Sequence, residues 1–115
     1  MVIRRKQLRR LADSGRQQYV TKLTDFLNER FPESANVPRE ELQAEVSRQV
    51  ERAAEHGLET EQQAATYTVT AWLAGRDFDV RYAGAAAILH SGLRAEVKAD
   101  KLAAWTADLF EALEK

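Results

Sequence analysis

Apolar residues recur at intervals of three and four along most of the chain, which is the pattern of amphipathic α-helices. In the first segment the apolar positions are Leu8, Leu11, Tyr19, Leu23, Phe26, Leu27 and Phe31. We therefore predict a first helix from about Arg4 to Arg30, ended by the proline at position 32. Gly15 fills one step of this pattern, and we expect a close helix crossing or a bend there.

The same spacing predicts four further helices. The second begins at Pro38, a favourable first-turn residue, and ends at Gly57 in a left-handed conformation. The third opens with Thr60 and Gln63 in the spacing of a capping box and ends at Gly75. Its broad apolar surface indicates that it is the central helix of the fold.

The two remaining helices lie in the last third of the chain. A turn over residues 76–79 precedes a short helix over about 82–90. The last helix spans about 94–114, unless Asp100 caps a shorter version. The expected fold class is all-α, an irregular antiparallel bundle of about five helices in a single domain over 1–115.

Composition is that of a folded, soluble domain. The chain has 115 residues, of which 44% are apolar and 30% are charged. It has no cysteine, which excludes disulfides and thiolate metal sites. The basic start is not followed by an apolar run, and no stretch approaches the length of a membrane span, so we expect neither a signal peptide nor a membrane partner. These features are typical of a cytoplasmic protein.

Charge is distributed unevenly along the chain. Residues 1–32 hold eight basic and three acidic residues, whereas residues 33–115 hold nine and fifteen. On the predicted first helix, Arg5, Arg9 and Arg16 line one side. Such a stripe suits a nucleic-acid groove or an acidic membrane surface. The alternative is a solvated face, paired with the acidic remainder of the chain or with an acidic protein partner. Nucleic acid is disfavoured because the stripe lacks aromatic residues and the isoelectric point is about 6.1.

Few residues have the pattern of a chemical site. His56 and His90 both precede a glycine at a predicted helix end, where we expect them to face the negative end of the helix dipole instead of binding zinc. Asp77-Phe78-Asp79 has the spacing of a cation-binding Asp-x-Asp, but further oxygen ligands are missing around it. We expect Asp79 to cap the following helix and Phe78 to enter the core. No catalytic motif appears, so we expect no enzyme, no metal and no cofactor.

The large aromatic residues divide into core and surface candidates. Trp72 and Trp105 lie on apolar stripes and are predicted in the core, whereas Tyr82 is the aromatic residue that we expect to be exposed. Combining aromatic and basic candidates, the predicted partner-binding residues are Arg5, Arg9, Arg16, Phe78 and Tyr82.

Several local patterns resemble one group of small proteins. They are an opening of Met-x-Ile type before a long helix, the segments 26–32, 53–58 and 75–79, and Ala87-Ile88-Leu89. In order and spacing, these segments resemble those of small accessory proteins encoded beside type VI secretion effectors in Gram-negative bacteria. The resemblance implies a co-chaperone-like protein that helps hold or load an effector with its adaptor, and it implies no catalytic residues.

Three functions remain open at this point. The leading hypothesis is a cytoplasmic adaptor or co-chaperone that binds a protein partner, which would be an effector, an adaptor or another chaperone. The first alternative is an immunity protein that neutralises a toxin. The second alternative is a nucleic-acid-binding protein that uses the basic first helix. A homodimer through the first or last helix is compatible with all three.

Overall fold

The computed structural model describes the backbone of residues 2–114 and the side chains of residues 15–112. Every regular element in this part of the chain is helical. The elements are α1 (Val2–Arg30), a short 3₁₀ helix (Pro32–Asn36), α2 (Arg39–Glu55), α3 (Glu61–Ala74), α4 (Phe78–Arg81), α5 (Ala83–Leu89) and α6 (Ala95–Glu114). The all-α fold class is therefore confirmed, with two short helices more than predicted, the 3₁₀ helix and α4. The turn predicted over 76–79 was wrong in its second half, because Phe78 already begins α4.

Residue contacts divide the chain into two compact units, Met1–Ser47 and Arg48–Lys115, called here the N-terminal unit and the C-terminal unit. Helix α2 begins in the first unit and ends in the second.

In the N-terminal unit, the end of α1 is fixed by the segment that follows it. Phe31 still donates its N–H to the Leu27 carbonyl (2.7 Å), and the 3₁₀ helix then starts at the proline. The buried Ser34 hydroxyl donates to Asn28 Oδ1 at 2.6 Å, so the 3₁₀ helix is tied back to the last turns of α1.

Burial along α1 differs from the predicted apolar face in two respects. Leu23 and Leu27 are buried as predicted, but Phe26 is 45% exposed, and Val20, which was not on the predicted face, is buried. The side chains of Leu8 and Leu11 lie outside the described residues. At Gly15 the helix continues, and no described atom lies within 4 Å of the position that a Cβ would take. Of the two expectations for this glycine, the close crossing is therefore wrong among the described residues, and the bend stays a prediction.

In the C-terminal unit, local signals set the helix ends as predicted. Gly57 has φ +84° directly after α2, and Gly75 has φ +111° directly after α3. The Thr60 hydroxyl accepts from the Gln63 N–H, and the Gln63 side chain accepts from the Thr60 N–H. This capping box satisfies two backbone donors that a helix start would otherwise leave unpaired.

The core of the C-terminal unit forms where α3 packs against α6 and α4, and where α5 packs against α6. The hydroxyls of Thr70 and Thr106 lie 2.5 Å apart between α3 and α6. Tyr67 and Phe78 are fully buried, whereas Trp72 and Trp105 are only partly buried. Asp100 lies within α6, so the longer version of the last helix is the one formed. Of the described helices, none is both long and apolar enough to cross a bilayer.

Candidate functional site

The N-terminal unit contains an open groove of about 420 Å³ between α1 and the first half of α2. Its wall on α1 consists of Arg16, Gln17, Val20 and Thr21, and its wall on α2 consists of Gln43, Ala44 and Ser47. Beyond these residues, an ion pair between Arg39 and Asp25 (2.6 Å) links the start of α2 to α1. The groove is therefore lined by amides, hydroxyls and one guanidinium, together with the apolar side chains of Val20 and Ala44.

The C-terminal unit contains a second polar feature, a charged cluster centred on Asp79. The Asp79 side chain is 6% exposed, and its Oδ2 accepts a hydrogen bond from Arg52 Nη2 at 2.5 Å. His56 Nε2 lies 3.5 Å from the same oxygen. The end of α2 and the short helix α4 are thereby joined by buried charge. We call Arg52, His56, Tyr67 and Asp79 the Asp79 cluster.

The surroundings of the cluster fix the protonation state of three of its members. Burial alone would raise the pKa of Asp79, but the hydrogen bond from Arg52 and its positive charge hold that pKa below its usual value. The pKa of Arg52 is correspondingly raised, chiefly by its hydrogen bond to Asp79. Burial raises the pKa of the Tyr67 phenol to about 12. At neutral pH the cluster therefore contains an ionised pair beside a protonated phenol.

Aromatic rings surround this pair. The His56 ring stacks on Tyr67 (centroids 5.8 Å apart) and meets His90 edge-on at 5.4 Å. Tyr67 in turn contacts Phe78 at 4.8 Å. Three buried polar atoms of the Asp79 cluster, Arg52 Nε, Tyr67 Oη and Asp79 Oδ1, have no hydrogen-bond partner among the described residues. The rings lower the local polarity, which strengthens the attraction within the ion pair.

The structure changes the roles predicted for Asp79 and His56. Asp79 does not cap a helix, because the residue before α4 is Asp77 and the residue before α5 is Tyr82. The Asp79 carboxylate instead forms the buried ion pair. His56 does follow the end of α2, but its backbone carbonyl accepts from Lys98 Nζ (3.3 Å), so lysine supplies the positive charge there.

The predicted partner-binding residues have different positions. Arg16 lines the groove of the N-terminal unit, whereas the side chains of Arg5 and Arg9 lie outside the described residues. Phe78 is fully buried, which confirms that it enters the core and makes its ring inaccessible to a partner in this conformation. Tyr82 is half-buried, with its ring edge-on to Trp105 at 5.5 Å.

Tyr82, the aromatic residue predicted to be exposed, is not among the most exposed aromatic side chains. Among the described residues, Phe26 and Phe110 are 45% and 40% exposed, and both lie on long helices. The expectation that Tyr82 is the exposed aromatic residue is therefore wrong. Its contact with Trp105 could not be read from the sequence, since the two residues lie on different helices.

Sequence reasoning also missed Arg52 and Tyr67. Tyr67 lies on the apolar side of α3, and Arg52 lies outside the apolar stripe of α2. Nothing local connects either residue to Asp79. The sequence did contain one signal. Asp79 directly follows Phe78, which was predicted in the core, and basic residues lie on both sides of this segment. A buried carboxylate needs a partner of opposite charge. Within the described residues, no three His, Asp or Glu side chains are grouped to hold a metal ion.

Comparison with known proteins found no matching family model, no matching curated protein and no matching solved structure.

Proposed function

We propose that this protein is a protein-binding accessory factor, an adaptor or co-chaperone that acts in the bacterial cytoplasm on a type VI secretion effector. The observation that carries the proposal is the open groove of the N-terminal unit, which has a guanidinium and several amide and hydroxyl groups on its walls. Amide and hydroxyl side chains both donate and accept hydrogen bonds, as a polypeptide backbone requires of its partner.

The resemblance of segments 26–32, 53–58 and 75–79 to accessory proteins of type VI effectors also supports the proposal. The Asp79 cluster fits a role without chemistry, because its ion pair ties the end of α2 to α4 and its phenol keeps its proton at neutral pH. Binding, and not catalysis, is therefore the activity proposed for this chain.

The test combines a binding measurement with a genetic one. The purified protein is mixed with the purified products of the neighbouring effector and adaptor genes, and complex formation is measured by size-exclusion chromatography with light scattering. We expect a stable complex with one of them, and we expect deletion of the gene to reduce secretion of that effector while the cells survive.

Two outcomes would contradict the proposal. One is the absence of any complex together with unchanged secretion. The other is a deletion that kills cells only when the effector is active, which would identify an immunity protein instead. Light scattering of the isolated protein shows in the same experiment whether it forms a homodimer.

A further inference from the structure

We propose that the groove of the N-terminal unit binds an acidic segment of the partner protein, with Arg16 receiving a carboxylate. This inference rests on the proposed function, because it specifies the chemistry of the partner bound at the same site.

The charge of the groove is positive. Arg16 is the charged residue on its walls, and the described lining residues include no acid that could neutralise it. Arg16 also stands at the end of the most basic stretch of the chain, since residues 4–16 hold six basic residues and one acidic residue. A positive field along this helix would attract a negatively charged segment.

The remaining polar groups of the groove suit a peptide. Gln17 and Gln43 present amides from opposite walls, and Ser47 adds a hydroxyl. The Thr21 hydroxyl donates to the Gln17 carbonyl at 3.1 Å, so its lone pairs remain able to accept a hydrogen bond. Between these groups, Ala44 leaves room for a small apolar side chain. The volume of about 420 Å³ lies within the range of ligand clefts, roughly 300–1,000 Å³.

Nucleic acid fits this groove less well. Single strands are held by aromatic side chains on which the bases stack, and none of the described lining residues is aromatic. The chain as a whole has a net charge of −1, whereas nucleic-acid-binding domains are strongly basic. A carboxylate needs only a single guanidinium, which can bind both of its oxygens.

The experiment measures binding of a fluorescein-labelled peptide composed of Asp, Glu, Ala and Val by fluorescence anisotropy. The test variant is Arg16→Glu, and the matched control is Lys22→Glu. Lys22 is an exposed residue of the same helix that does not line the groove, so the two variants have the same net charge. We expect Arg16→Glu to weaken binding by about tenfold or more, since charge-assisted hydrogen bonds are the strong ones, and Lys22→Glu to weaken it by less than about twofold.

A second variant tests the other wall of the groove. Ala44→Glu introduces a negative charge from α2 at an exposed helical position where glutamate is well tolerated. We expect it to weaken peptide binding about as much as Arg16→Glu does. Circular dichroism of each variant checks that its helix content is unchanged, and two variants on separate helices keep the test valid if one of them misfolds.

Three results would overturn the inference: no binding of the peptide by the unaltered protein, equal effects of Arg16→Glu and Lys22→Glu, or tighter Arg16-dependent binding of a DNA fragment than of the peptide. Failure of the proposed function is a separate result, because it is measured with the effector and adaptor themselves. If Arg16→Glu still binds the effector as tightly as the unaltered protein does, the partner docks elsewhere and the accessory role stands.

Discussion

The Arg52–Asp79 pair should respond unequally to removal of its two members. The Asp79 side chain is 6% exposed, whereas that of Arg52 is 36% exposed. The substitution Arg52→Met keeps the aliphatic stem but leaves a buried carboxylate without its guanidinium. The substitution Asp79→Asn keeps the shape of the buried side chain and leaves a cation that already contacts water. We therefore expect loss of the more exposed residue to be the more destabilising change.

The expected magnitudes follow from the two exposures. Arg52→Met leaves a buried charge without its partner, which should lower the free energy of unfolding by about 3–5 kcal/mol. Losing a hydrogen bond between charged groups costs about 1.5–3 kcal/mol, and solvent around Arg52 reduces this to about 1–2 kcal/mol. The double variant contains no stranded charge, so its loss should be close to that of Asp79→Asn alone and well below the sum of the two single losses.

The effect of pH on the free energy of unfolding should be opposite in the unaltered protein and in Arg52→Met. In the unaltered protein the pKa of Asp79 is lowered, so its contribution to stability is present above its unfolded pKa of about 3.9 and is lost as the pH falls through the folded value. Without Arg52, burial is the main influence and raises the folded pKa above the unfolded one. Acidification should then stabilise Arg52→Met.

The assay is urea denaturation followed by far-ultraviolet circular dichroism, at about pH 7 and about pH 5. The control is Arg81→Met, which removes an exposed arginine of α4 next to the cluster and should change stability by less than about 0.5 kcal/mol. Equal losses for Arg52→Met and Asp79→Asn, or a larger loss for Asp79→Asn, would show that the carboxylate is not stranded and would refute the reasoning.

Two glycines should respond in opposite ways to alanine, measured by the same denaturation. A Cβ at Gly84 would lie 2.9 Å from Nε1 of Trp105, whose ring is held between Phe78 and Tyr82, so Gly84→Ala should destabilise by about 1–2 kcal/mol and alter the tryptophan fluorescence. Unchanged stability would mean that the indole moves freely. Gly15→Ala should stabilise by about 0.5–1 kcal/mol, because no described atom crowds the new methyl group and alanine favours the helix. A loss of stability would restore the close crossing expected from the sequence.

Helix positions could be predicted from the sequence because the signals that set them are local. The capping box at Thr60 and Gln63 and the left-handed Gly57 need only neighbouring residues. Phe78 was placed in the core correctly, but the turn of helix that begins there was not predicted. A single turn has too few residues to show a helical repeat, and its conformation depends on the partners of its side chains.

The candidate sites could be predicted only in part, because they depend on contacts between elements. Arg16 was selected for its charge, yet its place in a groove requires the second wall that α2 provides. Arg52 and Asp79 are 27 residues apart in the chain, and no periodic pattern relates them. The role of Asp79 was predicted wrongly because its burial could not be predicted. It was expected at a helix end, where carboxylates are common, but it lies in the interior with the Arg52 guanidinium as its partner.

The sequence of the basic half of α1 contains like charges at helical spacing. Arg5 and Arg9 are four residues apart, as are Lys6 and Arg10, and each such pair of like charges destabilises a helix by about 0.2–0.5 kcal/mol. The first turn contains no acid to complement the helix dipole. An acidic partner bound along this helix would relieve both effects. Added salt should therefore increase the helix content of the free protein while it weakens the complex, a pair of opposite responses that a merely solvated basic face would not show.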